Sequence, residues 1–420
     1  MRALAGRLWT SWPPTWCAVP VGGAASPAAR CHIYNSDPIL KASDASSDPS
    51  VMQTVIAAPV GLPVAPELYP TPPPAAPTYQ LPPVDDMALY EMGWPKGLTR
   101  MVANSVANLP IRFVIVDNSG SMQSMDGQRL VLGPSGRIQS IPATRWAELS
   151  QAINEMADVA VGVRGPTHFH FLNPTPAGQF FAVAGEAAPP GGFAASVPPP
   201  PGNFSNLKAA TASSPSGTTP LTEALMRVDQ MIRPASQMLR ASGQKAVICI
   251  TTDGLPNDPK SFLMALQNLQ TLPVWVVVRL CTSDDSVVDY WSDLDKHLEM
   301  SLETLDDLAS EAKEVHAMNP FLAYGPALHM ARMFGVQDRI FDLLDEKQLL
   351  PTQAKEFAEK LLGCTGLPEP DIDPKGFGLM LNNHLKDCRN VYNPVTKRMG
   401  PWVDTKAILK LAGHGGCVVC

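Results

Sequence analysis

The chain has 420 residues, is 45% hydrophobic and only 17% charged, and carries 43 prolines and a formal net charge of −7. That length allows two or three domains, but clustered proline removes two segments from any core. The negative balance favours no nucleic-acid partner, and no run of about 18 apolar residues offers a membrane span. The acidity is local: between Asp284 and Glu314 eleven carboxylates stand against Lys296 and Lys313 alone. The eight cysteines are scattered, without a zinc-ligand set, which suits a reducing compartment.

The first 36 residues hold Arg2, Arg7 and Arg30 and no acid, faintly like a transit peptide. Pro13, Pro14 and Pro20 break the stretch, and an unstructured start is expected. Residues 1–85 as a whole are expected to be disordered. Ten prolines fall between Pro59 and Pro83, a composition that favours extended polyproline II without a buried face. Folding is expected to begin near Leu89 and Tyr90, with Trp94 and Pro95 as an early anchor.

Ile111 to Val116 is a short apolar run, rich in β-branched residues, that stops at a polar turn. Such a run predicts a buried strand of a parallel sheet. From Thr144 to Ala160, Trp146, Leu149, Ile153, Met156 and Ala160 recur at spacings of 3 and 4, predicting an amphipathic helix capped by Thr144. His168-Phe169-His170-Phe171-Leu172 alternates and predicts a strand, its histidines satisfied at or near the surface. Gln179 to Val183 predicts another short strand. Residues 185–217, rich in Gly, Pro, Ser and Ala, look like a mobile insertion. Order returns at Thr219, an expected N-cap, with Pro220 opening a helix through Ile232.

Lys245 to Ile250 predicts a buried strand ending at Thr252-Asp253-Gly254. A helix over 259–270 and a strand over Val274 to Leu280 follow. Apolar strands alternating with amphipathic helices predict an α/β fold, a Rossmann-like, doubly wound, mostly parallel sheet over residues 86–300. The acidic segment beyond Cys281 is expected to be mostly helical, with Leu298, Leu302, Leu305, Leu308, Ala312 and Val315 recurring at spacings of 3 and 4 on one face. Residues 301–363 are expected to form a helical acidic region. Residues 364–420 are expected to form a small terminal unit anchored by Trp402 and Val403.

Asp117, Ser119 and Ser121 place one carboxylate and two hydroxyls at alternate positions of a strand-end turn. Thr219 and Asp253 stand at two further strand–turn junctions of the same sheet edge, where open α/β sheets bind ligands. All five are hard oxygen donors, three of them neutral, which points to Mg2+, with Mn2+ or Ca2+ as alternatives, rather than zinc. A lone turn of this kind could simply cap its own backbone. That leaves the Thr and the Asp at distant termini unexplained.

In these residues the chain resembles the von Willebrand factor type A (vWA) domain family. The family's metal-ion-dependent adhesion site is written D-x-S-x-S, then T, then D. Asp117-Asn118-Ser119-Gly120-Ser121, Gly217-Thr218-Thr219-Pro220 and Thr252-Asp253-Gly254 match in order. The insertion before the threonine loop leaves Thr218 as the alternative to Thr219. The resemblance covers about residues 108–300. It implies a non-enzymatic module in which the metal takes an Asp or Glu side chain of a partner protein. Asp253 would act through water, and Thr219 would ligate directly when the partner is bound.

Two rivals remain at this level. In a scaffold the metal would only stabilise the fold. In a phosphatase-like enzyme Asp117 would be the nucleophile, but Ser119 stands where a general acid is needed. No GxxxxGK[ST], GxSxG or HExxH pattern is present. Cys417-Val418-Val419-Cys420 has the layout of a prenylation signal with an unusual final residue, so membrane attachment is expected only if that motif is lipidated. Without a signal peptide or a membrane span, an intracellular, cytoplasmic location is expected.

Overall fold

Every residue of Arg112–Val116 (β1) is buried, because this strand has neighbours on both sides and helices on both faces. Val114 and Val116 enter one hydrophobic layer, and Phe113 and Ile115 enter the other. This is the side-chain alternation of a pleated strand in the middle of a sheet. The computed structural model describes residues 87–413, apart from 135–136, 189–190 and 299–301. The expectations for residues 1–85 and for Cys417–Cys420 lie outside the described residues.

After β1 come Gly127–Leu132 (β2), Ile138–Ala143 (β3), Thr167–Thr175 (β4), Gly178–Val183 (β5), Ala246–Thr252 (β6), Val274–Leu280 (β7) and Leu302–Leu305 (β8). Val391–Asn393 (β9) and Arg398–Gly400 (β10) follow near the end. The main sheet has six strands in the order β5-β4-β1-β6-β7-β8, parallel except for the β4–β5 hairpin at one edge. β2 and β3 form a separate hairpin. The helix Arg145–Gly162 contributes Leu149, Ile153 and Met156 to the layer holding Val114 and Val116. The helices Leu221–Ile232, Pro259–Leu269 and Asp285–His297 contribute to the opposite layer. The sheet is therefore an α/β assembly covered by helices on both faces, as the alternating pattern predicts.

Thr144 caps its helix as expected, its hydroxyl accepting from Ala147 N at 3.0 Å. Three other expectations are corrected. The helical period of the acidic segment is interrupted: β8 takes Leu302–Leu305, between the helices Asp285–His297 and Leu308–Met318. Leu302 and Leu305 are buried, and β8 pairs in parallel with β7, so the ladder offers this short segment more than a helix would. The expected boundary at 300 thus falls just before a strand of the sheet.

The 185–217 segment, expected to be a mobile loop, is a folded cover. Its helix Phe204–Thr211 is capped by Asn203 and packs on β5, with Phe193, Val197 and Leu207 buried. Gly202 exchanges backbone hydrogen bonds with Ala182 and Phe180 (2.7 and 3.2 Å), closing the exposed edge of β5. A few buried apolar side chains outweigh the loop-like composition around them. His168 and His170, expected to be satisfied, are fully buried, and three of their four ring nitrogens have no hydrogen-bond partner.

The layer containing Val114 does not stop with the sheet. It continues through Phe321, Leu328, Phe334, Phe357, Phe377, Trp402 and Leu409. Trp402 and Val403 anchor the last segment, Trp402 Nε1 donating to Arg389 O at 3.0 Å. No described helix is long and apolar enough to cross a membrane.

Candidate metal centre

β1 and β6 are parallel neighbours, with Val116 opposite Thr251. From β1 the next main-sheet strand, β4, lies on one side, and from β6 the next, β7, lies on the other. The strand order therefore reverses between β1 and β6, and the turns after both strands face the same crevice. Asp117 N donates to Thr251 O at 2.9 Å, so the two strand ends are fastened together before either side chain is considered.

Asp117 is completely buried. Its Oδ1 accepts from Ser119 N at 2.9 Å, and its Oδ2 accepts from Thr252 Oγ1 at 2.7 Å. The hydroxyl oxygens of Ser119 and Ser121 lie 3.0 Å apart, and Ser121 Oγ donates to Asp253 Oδ1 at 2.8 Å. Four of the five residues singled out in the sequence thus share one small hydrogen-bonded cluster, although Ser121 and Asp253 are 132 positions apart.

Burial pushes the Asp117 carboxyl above its usual range. Hydrogen bonds from Ser119 and Thr252 oppose that shift, and the negative charge of Asp253 adds to it. A buried carboxylate facing a second one across hydroxyls gains from a cation placed between them. Among the described residues no group of three or more His, Cys, Asp or Glu is placed to hold a metal ion, so an ion here would lean on hydroxyls and water. These donors fit a hard divalent ion that keeps part of its own hydration.

Thr219 joins through the backbone. Gly217 O accepts from Gly120 N at 3.1 Å and Ser216 N donates to Asn118 O at 2.8 Å, which sews the threonine loop onto the Asp117 turn. Gly217 has φ +96°, and a Cβ there would stand 2.3 Å from Asn173 Oδ1, so this crossing requires glycine. Leu221 N donates to Thr219 O at 2.8 Å around Pro220 (φ −78°, ψ 60°), an inverse γ-turn. The helix therefore starts at Leu221 without a side-chain cap, and Thr219 is not the N-cap the sequence suggested. No hydrogen bond ties the Thr219 hydroxyl to the other four residues. Of the two threonines, Thr219 is half-buried and Thr218 is exposed.

Sequence reasoning missed three parts of this centre. Thr252 holds Asp117; its place directly before Asp253 was the only signal. Asn118 exchanges hydrogen bonds with the Asn173 backbone (2.9 and 2.8 Å), fixing the turn against β4. Arg145 donates from Nη1 to Asp253 Oδ2 at 2.9 Å and also grips Asp126. Nothing in the sequence around Arg145 announces that contact.

No family model and no curated protein matches this chain. Among solved structures, the manganese-loaded TRAP protein of Plasmodium vivax is similar, at 13% identity over 49% of this chain and 71% of that one, with a TM-score of 0.28. An overlap this loose leaves the centre to be argued from its own residues.

Proposed function

We propose that this chain is a non-enzymatic binding module of the vWA type, in which Asp117, Ser119, Ser121, Thr219 and Asp253 hold Mg2+, with Mn2+ or Ca2+ as substitutes. The ion would supply an open coordination position that attracts an Asp or Glu side chain of a partner protein. The observation that carries this reading is the convergence of Asp117 and Asp253 from two separate strand ends into one hydroxyl-rich cluster at the reversal of strand order. Ser119 and Ser121 are neutral donors, so they add ligands without cancelling the ion's charge. Neither serine has a histidine or lysine hydrogen-bonded to it as an activating base, which supports capture over catalysis.

The scaffold alternative predicts the same metal uptake without partner capture. Affinity capture with and without EDTA separates the two, comparing wild type with Asp117→Ala. The expected result is a set of acidic-motif partners retained only by the metal-loaded wild type. Metal-independent retention by both proteins overturns the adhesion reading. Metal-dependent melting with no partner in either condition supports the scaffold.

A further inference from the structure

Arg145 is the first residue of its helix and stands between two carboxylates of different character. Nε and Nη2 grip the two oxygens of Asp126, and Nη1 donates to Asp253 Oδ2 at 2.9 Å. The Asp126 side chain is 47% exposed, that of Asp253 is fully buried, and that of Arg145 is 14% exposed. The fork is held from behind, since Arg145 N donates to Ser124 O at 2.9 Å. Asp253 Oδ1 accepts from Ser121, so both its oxygens are engaged. Asp117, by contrast, takes its side-chain hydrogen bonds from neutral groups, Ser119 N and the Thr252 hydroxyl.

We propose that Arg145 is a positioning residue that neutralises Asp253 and holds its Oδ2 back, leaving Asp117 as the one uncompensated carboxylate of the centre. The inference rests on the metal reading above and says how that centre is regulated. A divalent ion balanced by one carboxylate is held less tightly but keeps more charge for an incoming acidic side chain. Asp126 sets the strength of the effect. It balances Arg145 from the solvent side, so removing its charge lets Arg145 oppose the ion more strongly. Arg145 and Asp126 should therefore act on metal affinity in opposite directions.

The test is calorimetric titration of the metal-free full chain with MnCl2. Arg145→Gln should bind Mn2+ about tenfold more tightly and Asp126→Asn several-fold more weakly, roughly the scale of one partly screened charge at this range. Arg145→Lys, which keeps the charge, should restore an affinity near that of wild type. A purely structural role would loosen the loops and weaken binding in both Arg145→Gln and Asp126→Asn, and that outcome overturns the inference. Unchanged affinity in Arg145→Gln overturns it equally. If Arg145→Gln does not fold, Asp126→Asn decides through its salt dependence: weaker Mn2+ binding whose deficit shrinks as KCl is raised supports the inference, and a deficit that salt leaves unchanged, or equal or tighter binding, ends it. Failure of the wild type itself to bind Mn2+ would instead sink the metal reading, an outcome separate from these.

Discussion

Asp117 is a carboxylate placed where a folded chain would rather have none. It is fully buried, its carboxyl is pushed up by burial, and its hydrogen-bond donors are a backbone N–H and a hydroxyl. Sites built for binding often trade stability in this way. Asp117→Asn keeps the size and can preserve both contacts, its amide oxygen accepting from Ser119 N and its NH2 donating to Thr252 Oγ1. The substitution should raise the stability of the metal-free protein by about 1 kcal/mol, because a buried charge is removed. It should also abolish the stabilisation by metal, which for wild type at about 100 times the dissociation constant amounts to roughly 2.7 kcal/mol. Urea denaturation with EDTA and with Mg2+ checks both; a less stable Asp117→Asn in EDTA would show that the carboxylate is structural.

Among the elements, β4 carries the clearest acid liability. His168 and His170 point to the face of Phe113, with ring centroids 5.5 and 6.0 Å from it, while Phe169 and Phe171 serve the other face. His170 also lies against Phe180, and Arg227 from the helix Leu221–Ile232 sits close enough to oppose its charging. Burial is the first cause of both shifts, lowering His168 from 6.5 to about 4 and His170 to about 3. The folded state therefore holds these rings neutral while the unfolded chain protonates them near pH 6.5. Their contribution to stability is complete above pH 6.5 and falls as the pH drops toward 4, by about 2 kcal/mol for each ring at pH 5. Stability measured by denaturant at pH 7 and pH 5 should show this loss, and the His168→Leu, His170→Leu double variant should flatten most of it. His329, also buried and held neutral, keeps part of the slope in that variant.

At the scale of the whole molecule, the sheet and the C-terminal helices share one interior. Arg112 of β1 is buried with its guanidinium 3.7 Å over the Phe334 ring, and its Nε donates to Phe334 O at 2.8 Å. Arg332 joins Glu303 of β8 (2.8 Å), Glu311 and Asp345 (3.1 Å) in a buried ionic cluster. The helix Lys96–Asn108 crosses Pro351–Leu362 so closely that a Cβ on Gly97 would stand 1.8 Å from Lys360 O. Cutting the chain at 300 would strip β8 from β7 and leave the Arg112 charge without its cover. It would also uncover the face of the layer packed against Phe321, Leu328 and Phe334, at about 1.5–3 kcal/mol for each large apolar side chain exposed, a large share of a typical domain's stability. A fragment of residues 86–300 should therefore show no cooperative urea transition by circular dichroism, whereas the full chain shows one. A sigmoidal transition in the fragment would mean that the sheet domain is independent.

What the sequence alone determined is what contiguous residues encode. The apolar run at β1, the 3-and-4 spacing of Arg145–Gly162 and the strand over β6 and β7 were legible because burial imposes a local period. The cluster of Asp117, Ser119, Ser121 and Asp253 was legible for a related reason: all four follow the ends of β1 and β6, whose direction the parallel sheet dictates. The threonine turn and the insertion were not legible in this way, since Pro220 adopts a γ-turn and Phe193 and Leu207 are buried only through contacts with distant elements. The structure also decided which charges meet. Arg145 lies 108 positions from Asp253 and Arg332 lies 29 from Glu303, and in a sequence each looks like any solvated charge. Pairing of that kind depends on which surfaces the folded chain removes from water together, and only the tertiary packing specifies that.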